Sequence, residues 1–385
     1  MAQSLAQQLT LRQITRTRKD IADWKRALIA AEAVQNPKFY LLQDLYVEAM
    51  DDALLSSQVS NRFKNTTAAP FELVDQSGNV NNEQTATLRA IPFIQDLIQH
   101  ILESELFGYS LIELSSAPNG EPHMTLLPRR HIDPVNGRFY PDAYQQNFIP
   151  YREMSEYGNF VLEFNTGKLG LINKTIPHVL FKKFAQSCWS ELCEIYGIPP
   201  RFIKTNTTDP EMLERAEKMV TDMGAAAGFV IDQTEEFGFA QSASTNGDVY
   251  ANLINLCKNE ISLLVCGAII GQDTVNGNYS KEESNKDILD SLIESDKRMV
   301  EQYMNSTVLP AFRLIGWLPA SEGLTFRFSA VENTDLLWER TLAVMPYKDV
   351  DSQWIEEKFG IPVKDKQQGD TFGFNSLSSD LRFFV

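Results

Sequence analysis

Histidine and cysteine are scarce in this chain, four of each in 385 residues, and that scarcity removes most metal and nucleophile chemistry at the outset. His100, His123, His131 and His178 fall on separate predicted elements and read as surface or satisfied core residues, not ligands. Cys188, Cys193, Cys257 and Cys266 sit in predicted helices without C-x-x-C pairing, and read as reduced, buried thiols of a protein made in a cytosol. Neither G-x-S-x-G nor H-E-x-x-H occurs. The one Gly-Lys near a predicted strand, Gly167-Lys168, is followed by Leu169 where a phosphate loop needs Ser or Thr, so a Walker-type ATPase is excluded. Asp75 opens a loop of calcium-site flavour, but the twelfth position is Ala86 where a bidentate acid is needed, so a plain turn is expected. No catalytic residue, cofactor or metal is therefore expected. The most apolar run, Ile261 to Ile270, is too short to span a bilayer. Met1 to Thr10 is polar, so no signal peptide is expected. Repeats and low-complexity tracts are also missing.

What is present is a globular composition, 43% hydrophobic with 10% aromatic residues, long enough for two or three cooperating domains. The formal charge is −16, which repels nucleic acid as a whole. Tight duplex binding would need many Lys and Arg contacts to phosphates, so a sequence-specific DNA reader is poorly supported. The first 38 residues run against this balance, with seven Lys or Arg against three Asp or Glu. Arg12, Arg16, Arg18, Lys19, Lys25 and Arg26 form either a contact for DNA or an acidic neighbour, or a solvated helix face.

Residues 5 to 60 read as helical. Phe71 to Val74 reads as a strand before a Gly/Asn-rich turn. Ile91 to Phe107 carries a helical apolar stripe, and Gly108 to Leu114, His123 to Pro128, Arg138 to Tyr140 and Phe160 to Phe164 read as strands separated by Pro/Asn/Gly turns. Phe237 to Phe239 and Gly228 to Ile231 read as strands around an acidic turn. Asp248 is expected to cap a helix from Val249 to about Ile270. Gly271 to Lys281 breaks regularity, and Glu282 to Leu309 is helical again, with Glu282/Lys286 and Glu294/Arg298 at i,i+4 spacing. Leu324 to Ser329 alternates like a half-buried strand, and Asp335 to Val344 and Asp349 to Phe359 read as short helices.

The stretch from Thr175 to Val220 organises the rest. Val179, Phe181, Phe184, Ala185, Cys188, Trp189, Leu192, Ile195 and Tyr196 recur at three- and four-residue spacing on one helix face, with Lys182, Lys183, Glu191 and Glu194 mostly opposite. Gly197 and Pro199-Pro200 stop that helix. An extended tip, Arg201 to Lys204, leads to Asp209 as cap, Pro210 at the first helical position and a second amphipathic helix. By pattern alone this is a helical hairpin inside an ordinary domain.

The run Lys183 to Arg201 resembles the "W-x-x-F-x-E-x-x-G-x-P" signature of Mu-like tailed-phage portal proteins. Glu260-Ile-Ser262 with Gly267 to Thr274 resembles the same family's "I-S-x-x-I-L-G-Q-T-x-T" segment, in the family's order. The resemblance covers roughly residues 90 to 360. It departs at Ile269-Ile270, where the family has Leu before Gly-Gln. It implies an α+β portal-like fold with a mixed wing domain (1–174), helical stem (175–228), short clip (198–208), a further wing segment (229–330) and a crown-like helical C-terminal region (331–385). The break at 271–281 corresponds to the tunnel loop, where Gln272, Asp273, Thr274, Asn276 and Asn278 would make weak, sequence-blind DNA contacts. By pattern alone that break is a surface loop.

In the same way the resemblance makes Arg201, Phe202 and Lys204 clip residues facing terminase or tail adaptor, and Phe184, Trp189, Leu192 and Tyr196 stem-packing or oligomer residues. It implies a ring, usually of twelve subunits, at one capsid vertex of the virion, assembled in the host cytoplasm. Partners would be the terminase large subunit, the major capsid protein and a head-tail adaptor, with double-stranded DNA passing through and no membrane. The alternative is a capsid-associated or intracellular scaffold that never surrounds DNA.

Overall fold

The computed structural model describes residues 20–117, 120–197, 201–205, 208–221, 236–239, 247–269, 279–329, 334–348 and 350–361. The chain divides into two compact units, at residues 1–329 and 330–385.

The first unit opens with three helices, α1 (Ile21–Ala31), α2 (Tyr40–Met50) and α3 (Ala53–Thr67). Asp20 and Asp23 close a reciprocal capping box on α1, and Asp52 caps α3 by accepting from the Leu54 and Leu55 amides. Strand β1 (Phe71–Val74) leads through a turn into α4 (Asn82–Arg89), a mostly polar helix capped by Asn81. Asp75 spends its carboxylate on its own turn, accepting from the Ser77 and Asn79 amides. Helix α5 (Ile94–Phe107) ends at Gly108, whose positive φ of 94° turns the chain into β2 (Tyr109–Ser116).

Next come β3 (Pro122–Leu126), the two-residue strands β4 (Ile132–Asp133), β5 (Arg138–Phe139) and β6 (Ile149–Pro150), and β7 (Val161–Asn165). They form two antiparallel three-stranded sheets, ordered β3-β2-β7 and β4-β5-β6. Buried His131 meets the Tyr140 carbonyl through Nδ1 at 2.7 Å, so it is a satisfied core residue.

A 27-residue helix, α6 (Leu171–Gly197), starts upstream of the expected position and carries Pro177 inside it. Beyond it lie β8 (Arg201–Lys204), α7 (Pro210–Thr221), β9 (Glu236–Phe239) and α8 (Asp248–Cys266). Asp248 is the first residue of α8 and Gly247 occupies the cap position, with no side-chain cap. Helix α9 (Tyr279–Tyr303) passes through a π-helical turn, Met304–Val308, into α10 (Leu309–Ile315). Pro310 supplies the reason: lacking an N–H, it cannot sustain the α ladder, and the wider turn before it absorbs the mismatch. In α9 the Glu294 carboxylate pairs with Lys297 at 2.6 Å, while Arg298 bonds to the Glu294 carbonyl.

Strand β10 (Thr325–Phe328) returns to pair antiparallel with β1, Phe71 opposite Phe328. The core runs continuously through α2, α3, α5, α6, α8, α9 and the β2 sheet. Cys257 and Cys266 are buried, but Cys188 is half-buried and Cys193 exposed, so the expectation of four buried thiols holds for two.

In the second unit, α11 (Thr334–Val344) and α12 (Ser352–Phe359) meet through aromatic edges. Phe359 lies 4.9 Å from Trp338 and 5.6 Å from Trp354, centroid to centroid.

Candidate channel and docking elements

Helix α6 packs along α8. Strand β8 pairs antiparallel with β9, Arg201 opposite Phe239, Phe202 opposite Gly238 and Lys204 opposite Glu236. The predicted tip is thus half of a two-stranded ribbon whose other half lies beyond α7. Phe237 to Phe239, expected in a separate strand pair, is the partner of the tip.

The faces of α6 differ from the periodic reading. Val179 and Ala185 are buried as expected, but Phe181 and Phe184 are exposed, at 46% and 54%. Lys182, expected on the outer side, is buried, its ammonium 2.8 Å from the Asp52 carboxylate, and Lys183 bonds to the Glu48 carbonyl at 3.1 Å. The corner between α2 and α3 explains this. It presents one capping carboxylate and one helix-end carbonyl, and both attract an ammonium. Further along, Trp189 is half-buried within the same chain. A Cβ on Gly247 would come within 3.3 Å of its indole Nε1, so the start of α8 lies in close contact with Trp189. Leu192 is half-buried.

On α8, Ile254, Cys257, Ile261 and Val265 turn inward. Val249, Leu256 and Leu263 face out, 69%, 55% and 43% exposed. Their seven-residue spacing makes a single narrow apolar row along the helix.

The end of α8 is held by a close set of contacts. Gly267 takes the left-handed conformation, φ 69°, and closes the helix with its amide on the Leu263 carbonyl. A Cβ there would come within 2.8 Å of Ile288, so α9 approaches closely where the chain leaves α8. Ser262 Oγ donates to the Ala268 carbonyl at 2.9 Å, and Asn285 Nδ2 to the Ile269 carbonyl at 3.1 Å. Beneath them, Arg62 from α3 makes a two-pronged pair with Asp296 of α9, both bonds 2.7 Å, and donates from Nη1 to the Val265 carbonyl. Burial alone would lower the Arg62 pKa, but the bonds and charge of Asp296 outweigh it and raise it, so the guanidinium stays charged. Burial also pushes the Cys266 thiol up to about 11, and as a protonated thiol it donates to Gln58 Oε1. Three helices are thereby locked at the two ends of the predicted loop.

Gln272, Asp273, Thr274, Asn276 and Asn278 lie outside the described residues. The backbones of Arg201, Phe202 and Lys204 are in β8, and Tyr196 is in the last turn of α6. Sequence reasoning passed over Arg62, Gln58 and Asp296. A signal existed for the first two: Leu55, Gln58, Val59, Arg62, Phe63 and Thr66 fall on one buried helix face. A cation on an apolar stripe points to a buried partner. Among the described residues no cluster of three His, Cys, Asp or Glu can hold a metal, and no helix is long and apolar enough to cross a membrane.

A family model described as the portal protein of Mu bacteriophage matches residues 43–361. The chain is 23% identical over 344 residues to the Mu-like prophage FluMu protein gp29 of Haemophilus influenzae, covering 81% of this chain and 65% of that protein. It is 23% identical over 293 residues to the portal protein of Escherichia phage Mu, covering 70% of this chain and 56% of that protein. The chain thus spans less than two thirds of the length of either relative. Among solved structures it resembles a chain in the neck of a native GTA particle computed with C12 symmetry, at TM-score 0.53 and 14% identity over 89% of this chain and 100% of that one. A chain from the neck of an empty GTA particle computed with C6 symmetry gives 0.51 and 16%, over 83% of this chain and 94% of that one. The fold is α+β, of the kind found in those neck chains.

Proposed function

Because the chain belongs to the family of Mu bacteriophage portal proteins, we propose that it is the subunit of a ring at one capsid vertex, through which double-stranded DNA enters and leaves the head. The observation that carries this reading is the family match over residues 43–361, which takes in the α6–α8 pair, the ribbon between them and the locked ends of the loop before α9. The protein's task is positional, not catalytic: it surrounds the duplex and hands it between partners. A separate terminase supplies the motor, and a head-tail adaptor and the major capsid protein are its other neighbours. It resides in the virion, after assembly in the host cytoplasm.

In this reading α6 and α8 form the stem, and the β8–β9 ribbon with α7 forms the clip facing terminase or adaptor. That differs from a stem built of α6 and α7, because α6 packs on α8. Helices α1 to α5 and the two small sheets form the wing, and the second unit the crown. The segment holding Gln272, Asp273, Thr274, Asn276 and Asn278 is the tunnel loop, and the Arg62–Asp296 pair fixes the ends from which it projects into the channel. A net charge of −16 suits a wall along which DNA slides without sticking. The neck neighbour with C12 symmetry supports twelve as the subunit number. Ring closure needs two different complementary patches on each subunit, and the outward row Val249, Leu256 and Leu263 is one of them.

Negative-stain electron microscopy of the full-length protein, beside its mass in solution, tests the reading. Closed rings with a central opening of at least roughly 20 Å, the width of a duplex, are expected. A compact dimer without a hole would overturn it.

A further inference from the structure

Against the acidic balance of the whole chain, half of the residues lining one cavity are cations or aromatic rings. It lies between the α1–α2 connection and the β4-β5-β6 sheet and has a volume of about 180 Å³. Lys38 comes from the connection, where its amide bonds the Ala30 carbonyl and fixes the backbone. Arg138 comes from β5, its guanidinium 4.5 Å from the centre of the Phe148 ring. Both side chains are half-buried. A third cation, Arg130, is already matched by Asp44 at 3.3 Å. Lys38 and Arg138 have no carboxylate within ion-pair distance among the described residues. The one acid in the wall, Asp133, is turned away from them in function: its oxygens accept from the Val135 and Asn136 amides and the Asn136 side chain. Tyr40, Tyr140 and Phe148 supply the rings, the last two 6.0 Å apart.

Two half-buried cations without counter-charges leave a favourable interaction unmade, and aromatic walls beside them lower the local dielectric, so an oxyanion entering here is worth more than at the open surface. We propose that this cavity is a docking site for an acidic side chain, Asp or Glu, of a partner protein, with an apolar neighbour of that residue seated on the Tyr140–Phe148 rings. The cavity suits one carboxylate and its neighbour. A duplex needs a track of phosphate contacts, and two free cations would release only about two counterions. A chain of charge −16 also repels a long polyanion more than it repels a short acidic segment. The proposal is independent of ring closure and does not involve the stem.

The test uses the full-length protein and a fluorescein-labelled hexaglutamate peptide, followed by anisotropy at low salt. Binding is expected, falling as salt is raised. Lys38→Glu with Arg138→Glu should weaken it at least tenfold, while Lys286→Glu, on α9, should leave it unchanged. Circular dichroism and melting show whether the double variant folds, and Lys38→Gln with Arg138→Gln, which adds no repulsion, serves if it does not. Unchanged binding in the double variant, or no binding to the native protein, would overturn the proposal. So would a labelled 20-base-pair duplex that binds through Lys38 and Arg138 where hexaglutamate does not, which would assign the cavity to nucleic acid.

Discussion

Arg62 and Asp296 are both buried, and each is tolerated only because the other is there. Replacing Arg62 by Ala leaves a carboxylate with no cation in the interior and frees the Val265 carbonyl, a loss of about 3–5 kcal/mol. Urea unfolding monitored by tryptophan fluorescence should show it. The double replacement Arg62→Met with Asp296→Leu should recover most of that loss, because a volume-matched apolar pair carries no desolvation cost. If the double variant were as unstable as Arg62→Ala, the pair would be acting through packing and not charge. Glu103 offers a second test. Burial alone would raise its carboxyl, but bonding to His100 and the charge of Arg129, 2.7 Å away, outweigh that and hold it at about 2. A folded value below the ordinary 4.5 means that the stabilisation is fully present above pH 4.5 and is lost as pH falls from there towards 2. The contribution is about 3 kcal/mol, and Glu103→Gln should flatten that part of the acid limb of stability against pH.

At the scale of elements, the entry of α6 depends on two glycines that back onto each other. Gly108 (φ 94°) ends α5, and Gly170 (φ 87°) precedes α6. A Cβ on Gly170 would strike the Leu106 carbonyl and sit 2.6 Å from the Gly108 amide nitrogen, while one on Gly108 would sit 2.5 Å from the Lys168 carbonyl. Gly170→Ala therefore combines left-handed strain with backbone collision, and should lower stability by at least about 2 kcal/mol in thermal unfolding. Gly78→Ala, also at positive φ but in open space, should cost less, and equal losses would mean that strain alone decides. Neither crossing was legible in the sequence. The apolar pattern, together with turn residues, identified α5, β2, β7 and the strands at 71–74 and 324–329 as elements, although β2 buries both of its faces and not one. It was silent on which strands meet, since Phe71 and Phe328 pair across the length of the first unit. It missed α4, which is mostly polar and held by an Asn cap. It also misassigned the faces of α6, because hydropathy places a lysine outside and knows nothing of the Asp52 carboxylate waiting beneath. The candidate site followed the same division: the tip and the helix before it were visible as punctuation, while the Arg62–Asp296 lock is a contact between residues more than two hundred positions apart.

For the whole molecule, closure into the proposed ring is a question of what remains apolar after the subunit has folded. Most of the apolar surface of α8 is consumed by α6 and α3, and Val249, Leu256 and Leu263 are what is left over. Isolated exposed apolar residues are ordinary, but three in register on one helix make a ridge. If that ridge seats against the next subunit, replacing all three by Lys removes three apolar anchors and puts like charges along the seam. The subunit itself should survive, because none of the three is buried and surface substitutions away from the core usually change stability by under about 0.5 kcal/mol. The expected outcome is a folded monomer with native circular dichroism and melting, and no rings in negative stain or in the solution mass. Trp189→Asp behaves differently in this account. Trp189 packs on Gly247 within its own chain, so its loss should loosen α6 from α8 and lower the melting temperature before it affects assembly. Rings that persist in the triple-Lys variant would exclude this ridge from the subunit contact. A triple-Lys variant that no longer folds would mean that the row supports the subunit's own core, and the seam would have to be sought on another face.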